Sequence, residues 1–321
     1  MATIVASCPR LARLHLSAMD EVVLQSCDGL LDWLARPSAR LLKLDSIEFA
    51  PRAAKTLARV LLSSTTLRTI MLFYTPHTRD AFFDPTAPPL PRQLRKLTIE
   101  LDANWDITPA LFDKLATSAV TRLHLRSDVH RDVAPVVAAL APTLKALKLD
   151  EAKMKRLPPL PVLQYLQLSD VTLASEAVVD LASLLVTSTS LFRLDLRHSE
   201  LPDDQLQTIL YALPRWLSRQ QRTCYVYLSV SPETETLVTA ALLRTRNTLE
   251  VQLEINSAEL AVCQRLLTVL GATSRMKMRF ICLGDRICNH ERLETHARLQ
   301  RVETESSWLL SPSTTPWVSL A

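Results

Sequence analysis

A short apolar motif, L-x-x-L-x-L, returns along almost the whole length of this chain, and no fold that leaves its copies apart can bury it. Clear copies stand at Leu11-Leu14-Leu16, Leu67-Ile70-Leu72, Leu94-Leu97-Ile99, Val120-Leu123-Leu125, Leu144-Leu147-Leu149, Leu163-Leu166-Leu168 and Leu191-Leu194-Leu196. Weaker copies stand at Ala39-Leu42-Leu44, Thr223-Val226-Leu228, Thr248-Val251-Leu253 and Arg275-Met278-Phe280. Successive copies begin 28, 28, 27, 26, 24, 19, 28, 32, 25 and 27 residues apart. The fourth and sixth positions share one side of an extended strand, because side chains alternate along it. A single unit of this kind cannot bury its apolar side alone, so neighbours must stack.

The intervals read as helices. Ala53 to Leu62 combines strong helix formers with apolar residues three and four apart, and Val133 to Leu140, Ser175 to Val186, Asp203 to Leu213, Glu233 to Arg244 and Ala258 to Leu270 are similar. Ser175-Glu176 and Pro202-Asp203-Asp204 suit helix N-termini. Two intervals depart from this. The unit from Leu144 to Leu163 is 19 residues long and leaves little room for a helix around Pro158-Pro159. Tyr74 to Gln93 carries Pro76, Pro85, Pro88, Pro89 and Pro91, so an irregular loop is expected there.

With eleven copies at these periods, the chain resembles the leucine-rich repeat family over residues 11 to about 283, mostly its longer, ribonuclease-inhibitor-like class. The resemblance implies an α/β fold: a leucine-rich-repeat solenoid, or horseshoe, with a parallel inner sheet and outer helices. The family's turn asparagine is kept at Asn256 alone; Met19, Ile47, Thr75, Asp102, Asp128, Ala152, Val171, Ser199 and Ser231 fill the other places. Residues 1–283 are expected to form the array, 284–302 a C-terminal helical cap, and 303–321 a flexible tail. Ten residues precede Leu11, so the first unit is expected to be partly exposed or covered by a preceding domain.

Composition narrows the function. Leucine supplies 60 of 321 residues and glycine 3, so glycine-cradled phosphate sites cannot be built. A net charge of +4 is too small to argue for nucleic acid, and no apolar run approaches the roughly 18–20 residues that span a bilayer. The six scattered cysteines do not read as a disulfide framework, which suits the cytoplasm or nucleus. No catalytic signature is present, so an enzyme is not expected and neither is a cofactor. Cys282, Cys288, His290 and His296 have residue types that suit zinc, but their spacing does not match a zinc pattern. Asp203 and Asp204 read better as a helix start than as an acid–base pair.

The remaining surface is the inner face of the sheet. Positions three, five and seven of each motif should point to it. In the middle units those positions place six cations, Lys96, Arg122, Arg126, Lys148, Arg193 and Arg197, against three carboxylates, Glu100, Asp150 and Asp195. Tyr165, Tyr225 and Tyr227 share the face. Arginine and tyrosine are common anchors of protein interfaces. The candidate site is therefore Arg122, Arg126, Lys148, Tyr165, Arg193, Arg197, Tyr225 and Tyr227. It suits a protein partner with an acidic, partly apolar surface, with neither nucleic acid nor membrane. The expected role is a protein–protein interaction scaffold or recognition module. The resemblance also admits a substrate-recognition part of an F-box-type ubiquitin ligase, or a GTPase-activating protein like the Ran activator. The last of these carries an acidic tail that 303–321 lacks.

Overall fold

In a computed structural model of the chain, eleven strands lie side by side in sequence order, each parallel to the one before. The structure describes Cys8 and residues 10–283, except 103, 104, 106–108, 128–130, 198, 200, 245–248, 257–261, 263, 264, 267, 268 and 270–275. The sheet runs β1 (Arg13–Leu24), β2 (Leu41–Phe49), β3 (Thr69–Phe73), β4 (Lys96–Leu101), β5 (Arg122–Ser127), β6 (Ala146–Asp150), β8 (Tyr165–Ser169), β10 (Arg193–Asp195), β11 (Cys224–Val230), β12 (Leu249–Asn256) and β13 (Met276–Leu283). Two short strands, β7 (Lys153–Met154) and β9 (Thr172–Leu173), form a separate ladder.

Every motif copy falls in the same register. Leu14, Leu42, Ile70, Leu97, Leu123, Leu147, Leu166, Leu194, Val226, Val251 and Met278 are successive Cα partners across the sheet. A one-residue slip would turn this whole row to the open side, so burial fixes the pairing. From β2 to β12 the fourth-position residues are at most 2% exposed. Just before each strand, the second-position carbonyl accepts two amides of the next unit; Arg68 accepts from Arg95 (2.9 Å) and Lys96 (3.0 Å). The same bond pair recurs from Ala12 through Gln164.

Between the strands run α1 (Asp28–Leu34), α2 (Pro51–Ser63), α3 (Pro76–Phe83), α4 (Pro109–Ala116), α5 (Ala134–Leu140), α6 (Ser175–Thr187), α7 (Asp203–Arg219) and α8 (Pro232–Leu243). They cover one side of the sheet and meet the motif residues in one continuous core. The expected helices near residues 53, 133, 175, 203 and 233 all form. The expected helix over 258–270 falls mostly outside the described residues, as do the cap over 284–302 and the tail over 303–321.

The loop expected over 74–93 is a correction: its first part is the helix α3. Pro76 occupies the first turn, where no N–H is needed. The other four prolines all follow the helix. Its N-terminus is capped from the neighbouring unit. Glu48, 1% exposed at the end of β2, accepts hydrogen bonds from the amide of His77 (2.7 Å) and the hydroxyl of Thr78 (3.0 Å). The buried Arg79 then ties α3 forward, to the Glu100 carbonyl (3.1 Å) and the Asp102 carboxylate (2.7 Å). Its guanidinium also lies 4.6 Å from the ring of Trp105.

In the 19-residue unit no helix forms over 155–164, as expected, and β7 with β9 supplies the backbone pairing instead. Helix α7 runs six residues beyond Leu213, through Pro214. An interior proline costs about 3 kcal/mol. Trp216 and Leu217, both fully buried, and the bond from the Trp216 indole N–H to the Leu191 carbonyl (3.0 Å) offset it.

Four of the asparagine places are filled by buried residues: Ile47, Thr75, Ala152 and Val171 are each at most 9% exposed. The residue before each, Ser46, Tyr74, Glu151 and Asp170, is left-handed, with φ between 50° and 57°. Such a conformation costs a non-glycine residue on the order of 1–2 kcal/mol. It falls at the same place in four units, just past the strand's end at Tyr74, Glu151 and Asp170 and within β2 at Ser46.

Replacing Glu48 with alanine should leave the α3 donors unpaired. We expect the Glu48→Ala protein to lose about 2–3 kcal/mol of stability in urea unfolding; a change below about 0.5 kcal/mol would show that α3 holds itself.

Candidate functional site: the open face of the sheet

Two groups of side chains stand on the face of the sheet away from the helices. Both are built by register. Because β8, β10 and β11 pair with Tyr165, Arg193 and Tyr225 aligned, and Gln167, Asp195 and Tyr227 aligned, residues far apart in sequence stand one strand apart.

In the first group the Arg193 guanidinium lies 4.8 Å from the ring centre of Tyr165 and 4.8 Å from that of Tyr227. Its Nε is buried and has no hydrogen-bond partner among the described residues. The next arginine, Arg197, stacks 4.7 Å from Tyr227 and grips Asp195 with two bonds, Nε to Oδ1 (3.0 Å) and Nη2 to Oδ2 (2.8 Å). Asp195 is 1% exposed and is thereby neutralised. The Tyr165 hydroxyl donates to the Gln167 side-chain carbonyl. Burial pushes the Tyr165 phenol up to about 12, so the ring keeps its proton under all ordinary conditions. Burial also raises the Tyr227 phenol. Tyr225 stands beside this group and meets Phe192 edge-on at 6.3 Å. Over Phe192 lies Arg222, at 4.0 Å.

In the second group His124 Nε2 lies 2.6 Å from Asp150, and Lys148 lies 2.9 Å from the same carboxylate oxygen. Burial holds the His124 imidazole below its ordinary value even though Asp150 pulls it upward. The neutral ring therefore donates its Nε2–H to an ionised Asp150. Phe73 meets the His124 ring edge-on at 5.8 Å. Arg126 pairs with Glu151 (2.9 Å) and lies 3.9 Å from Glu100, with its guanidinium 5.4 Å from Tyr74. Burial depresses the Lys96 ammonium, and the charges of Arg122 and Lys148 depress it further.

All eight expected site residues are at least partly accessible and belong to this face, but they do not form one patch. Tyr165, Arg193, Arg197 and Tyr227 come together, with Tyr225 alongside. Arg126 and Lys148 belong to the second group, on β5 and β6, and Lys148 is the Cα partner of Gln167 on β8, beside the first group. The Arg122 side chain is exposed and makes no hydrogen bond or ion pair among the described residues. The expected positive excess is smaller than the formal count, because Arg126, Lys148 and Arg197 are each held by a carboxylate. Counting alternate positions missed Tyr74, Glu151 and Phe192. Tyr74 and Glu151 reach the face only because both are left-handed, and Phe192 sits at the second motif position. The signal for the first two is their shared place, one residue past the seventh position.

Among the described residues, no group of three or more His, Cys, Asp or Glu is placed to hold a metal. The zinc candidates Cys282, Cys288, His290 and His296 lie outside the side chains described. Asp203 and Asp204 open α7, in its first turn. Among the described residues no helix is long and apolar enough to cross a membrane. No protein-family model matches the chain, and no curated protein matches it.

The depressed imidazole makes stability depend on pH. In the unfolded chain a histidine takes a proton as pH falls through about 6.5. Folded His124 resists that proton, so stability is full above this value and falls as pH drops through the lower folded one. The urea midpoint should therefore decrease between pH 7 and pH 5. His124→Gln should flatten that decrease, leaving the part due to His15, whose imidazole burial also depresses. An unchanged slope in the variant would place the dependence elsewhere.

Proposed function

We propose that this chain is a leucine-rich-repeat solenoid of the ribonuclease-inhibitor-like class. It acts as a protein-recognition module whose concave sheet face takes an acidic, partly apolar partner. The repeat reading is supported by eleven motif copies in one register and by helices along one side of the sheet. The reading is of a binding protein of the cytoplasm or nucleus, not an enzyme.

One observation carries the binding site: the Arg193 guanidinium lies over two tyrosine rings, and among the described residues no carboxylate is bound to it. The rings fix the guanidinium in place and withdraw it from water. An incoming carboxylate there meets a preorganised donor fork, with apolar area beside it. Elsewhere on the face an acid would have to displace an internal carboxylate from Arg126, Lys148 or Arg197, or pair with the exposed Arg122, which no aromatic ring orders among the described residues. The partner's anchor is therefore expected at Arg193, with Tyr225 and Phe192 receiving apolar side chains.

The test is affinity capture from cell lysate, followed by measurement of the captured partner against wild type and two variants, Arg193→Ala and Tyr227→Phe. Arg193→Ala should weaken binding at least about tenfold, as loss of an interface anchor does. Tyr227→Phe keeps the ring and should bind within about twofold of wild type. Capture of one set of proteins by wild type and Arg193→Ala alike would sink the reading.

A further inference from the structure

We propose that the flank where helices end and strands begin is a second binding surface, and that its occupant is an extended acidic segment of a protein. The five connections from α1 to β6 that join a helix to the next strand carry Arg36, Arg40, Arg68, Arg92, Arg95 and Lys145 against one carboxylate, Asp84. Four of these, Arg40, Arg68, Arg95 and Lys145, occupy the second motif position. Their backbones are bonded in series: the Arg40 carbonyl accepts from the Arg68 amide (2.8 Å), and the Arg68 carbonyl from the Arg95 amide (2.9 Å). The three arginines thus stand about 4.8 Å apart, one strand spacing each. Like charges this close repel.

Three members are already ordered, and the first, Arg36, donates to the Cys8 carbonyl (3.0 Å). Arg40 donates to the Thr66 carbonyl (3.3 Å), and Arg95 donates to the carbonyls of Arg92 (2.9 Å) and Ala119 (3.1 Å). The side chains of Arg68, Arg92 and Lys145 are exposed and make no hydrogen bond or ion pair among the described residues.

The alternative explanation is that these cations only answer the helix dipoles, since α1 to α5 all end here. Each C-terminus presents about −0.5 of a charge, so five present roughly −2.5. That accounts for about half of the formal excess of these connections, and the remainder faces solvent. An anionic partner would relieve it.

The chemistry favours a protein over a nucleic acid. These five connections contain no Phe, Trp, Tyr or His. Single-stranded nucleic acid is held on such surfaces by bases stacked on aromatic rings, and none is available. Aspartate and glutamate side chains need only the guanidinium forks, which they pair two-pronged. The inference does not depend on the reading of the concave face, because its residues are different ones.

The experiment uses the full chain and a fluorescently labelled oligoglutamate peptide at low ionic strength, with binding followed by anisotropy. A peptide alternating Glu and Lys and an oligothymidylate of equal charge are the comparisons. Wild type should bind the oligoglutamate, and Arg68→Glu combined with Arg92→Glu and Lys145→Glu should weaken it at least about tenfold. Adding the three flank substitutions to Arg193→Ala should weaken its binding by the same factor, since the flank and the concave anchor are separate sites. The neutral set Arg68→Gln, Arg92→Gln and Lys145→Gln, which introduces no repulsion into the fold, should weaken binding in the same direction by about threefold or more. The proposal is overturned if wild type does not bind the peptide or binds the alternating peptide equally well. It is also overturned if the neutral set binds within about twofold of wild type, or if oligothymidylate binds more tightly than oligoglutamate. Loss of peptide binding in Arg193→Ala alone would assign the peptide to the concave face instead.

Discussion

Everything in this molecule follows from one lock, the parallel register that the buried motif residues impose. Burying a leucine removes about 1.5–3 kcal/mol of unfavourable exposure. A slip of one residue would forfeit that for the row from Leu42 to Val251 at once. The backbone bonds at the second position carry the lock from unit to unit, from Ala12 to Gln164. Because the register never shifts within this row, equivalent side chains form straight files across the strands. The files are what turn a repeated sequence into surfaces: core leucines in one, the Tyr165–Arg193–Tyr225 file in another, and the Arg40–Arg68–Arg95 file at the edge.

The same regularity aligns the helices. Each one leaves a strand end and returns to the next strand start, so their dipoles point one way instead of cancelling. Charge follows. Asp28, Glu176, Asp203, Asp204, Glu233 and Glu235 lie in first turns, while arginines gather after the last turns. A net charge of +4 describes this distribution poorly, since acids open α1 and α6 to α8 while cations gather at the helix ends between α1 and β6. Arg219 and Arg222 extend the sorting, donating to the carbonyls of Val186 and Ser190 in the unit before.

Much of this was legible in the sequence, and the parts that were not share a cause. Strand positions and their open-face residues follow from the motif, because both depend on local alternation. The helix α3 was not legible, because its N-terminal cap is Glu48, in the preceding unit. Nor was the end of α7, where packing of Trp216 outweighs the proline inside the helix. At the open face, residue types were readable but their partners were not. That Arg126 is answered by Glu151 depends on a left-handed φ of 54° at a residue no alternation rule assigns to the face. Long-range caps and backbone reversals are tertiary facts, and a single chain of letters records them only where the same oddity recurs, as it does after Asp45, Phe73, Asp150 and Ser169.

The internal pairing decides where on the open face an anion gains most. At Arg197 an incoming carboxylate must release Asp195, which is 1% exposed and would be left as an uncompensated buried charge. Leaving a buried charge unpaired costs about 3–5 kcal/mol, more than the new contact returns. At Lys148 the same exchange would also cost Asp150 one of the two contacts that keep it ionised, the other being His124. At Arg193 nothing is exchanged among the described residues: its guanidinium lies 4.8 Å from each of two tyrosine ring centres, and its Nε has no hydrogen-bond partner there. The tyrosines lower the local dielectric without competing for the charge, so an ion pair formed there is stronger than one at an open arginine. Number of cations is therefore a poor guide to the anchor of this face; a cation that lacks a carboxylate among the described residues and is already held by aromatic rings, as Arg193 is and the exposed Arg122 is not, is the better guide.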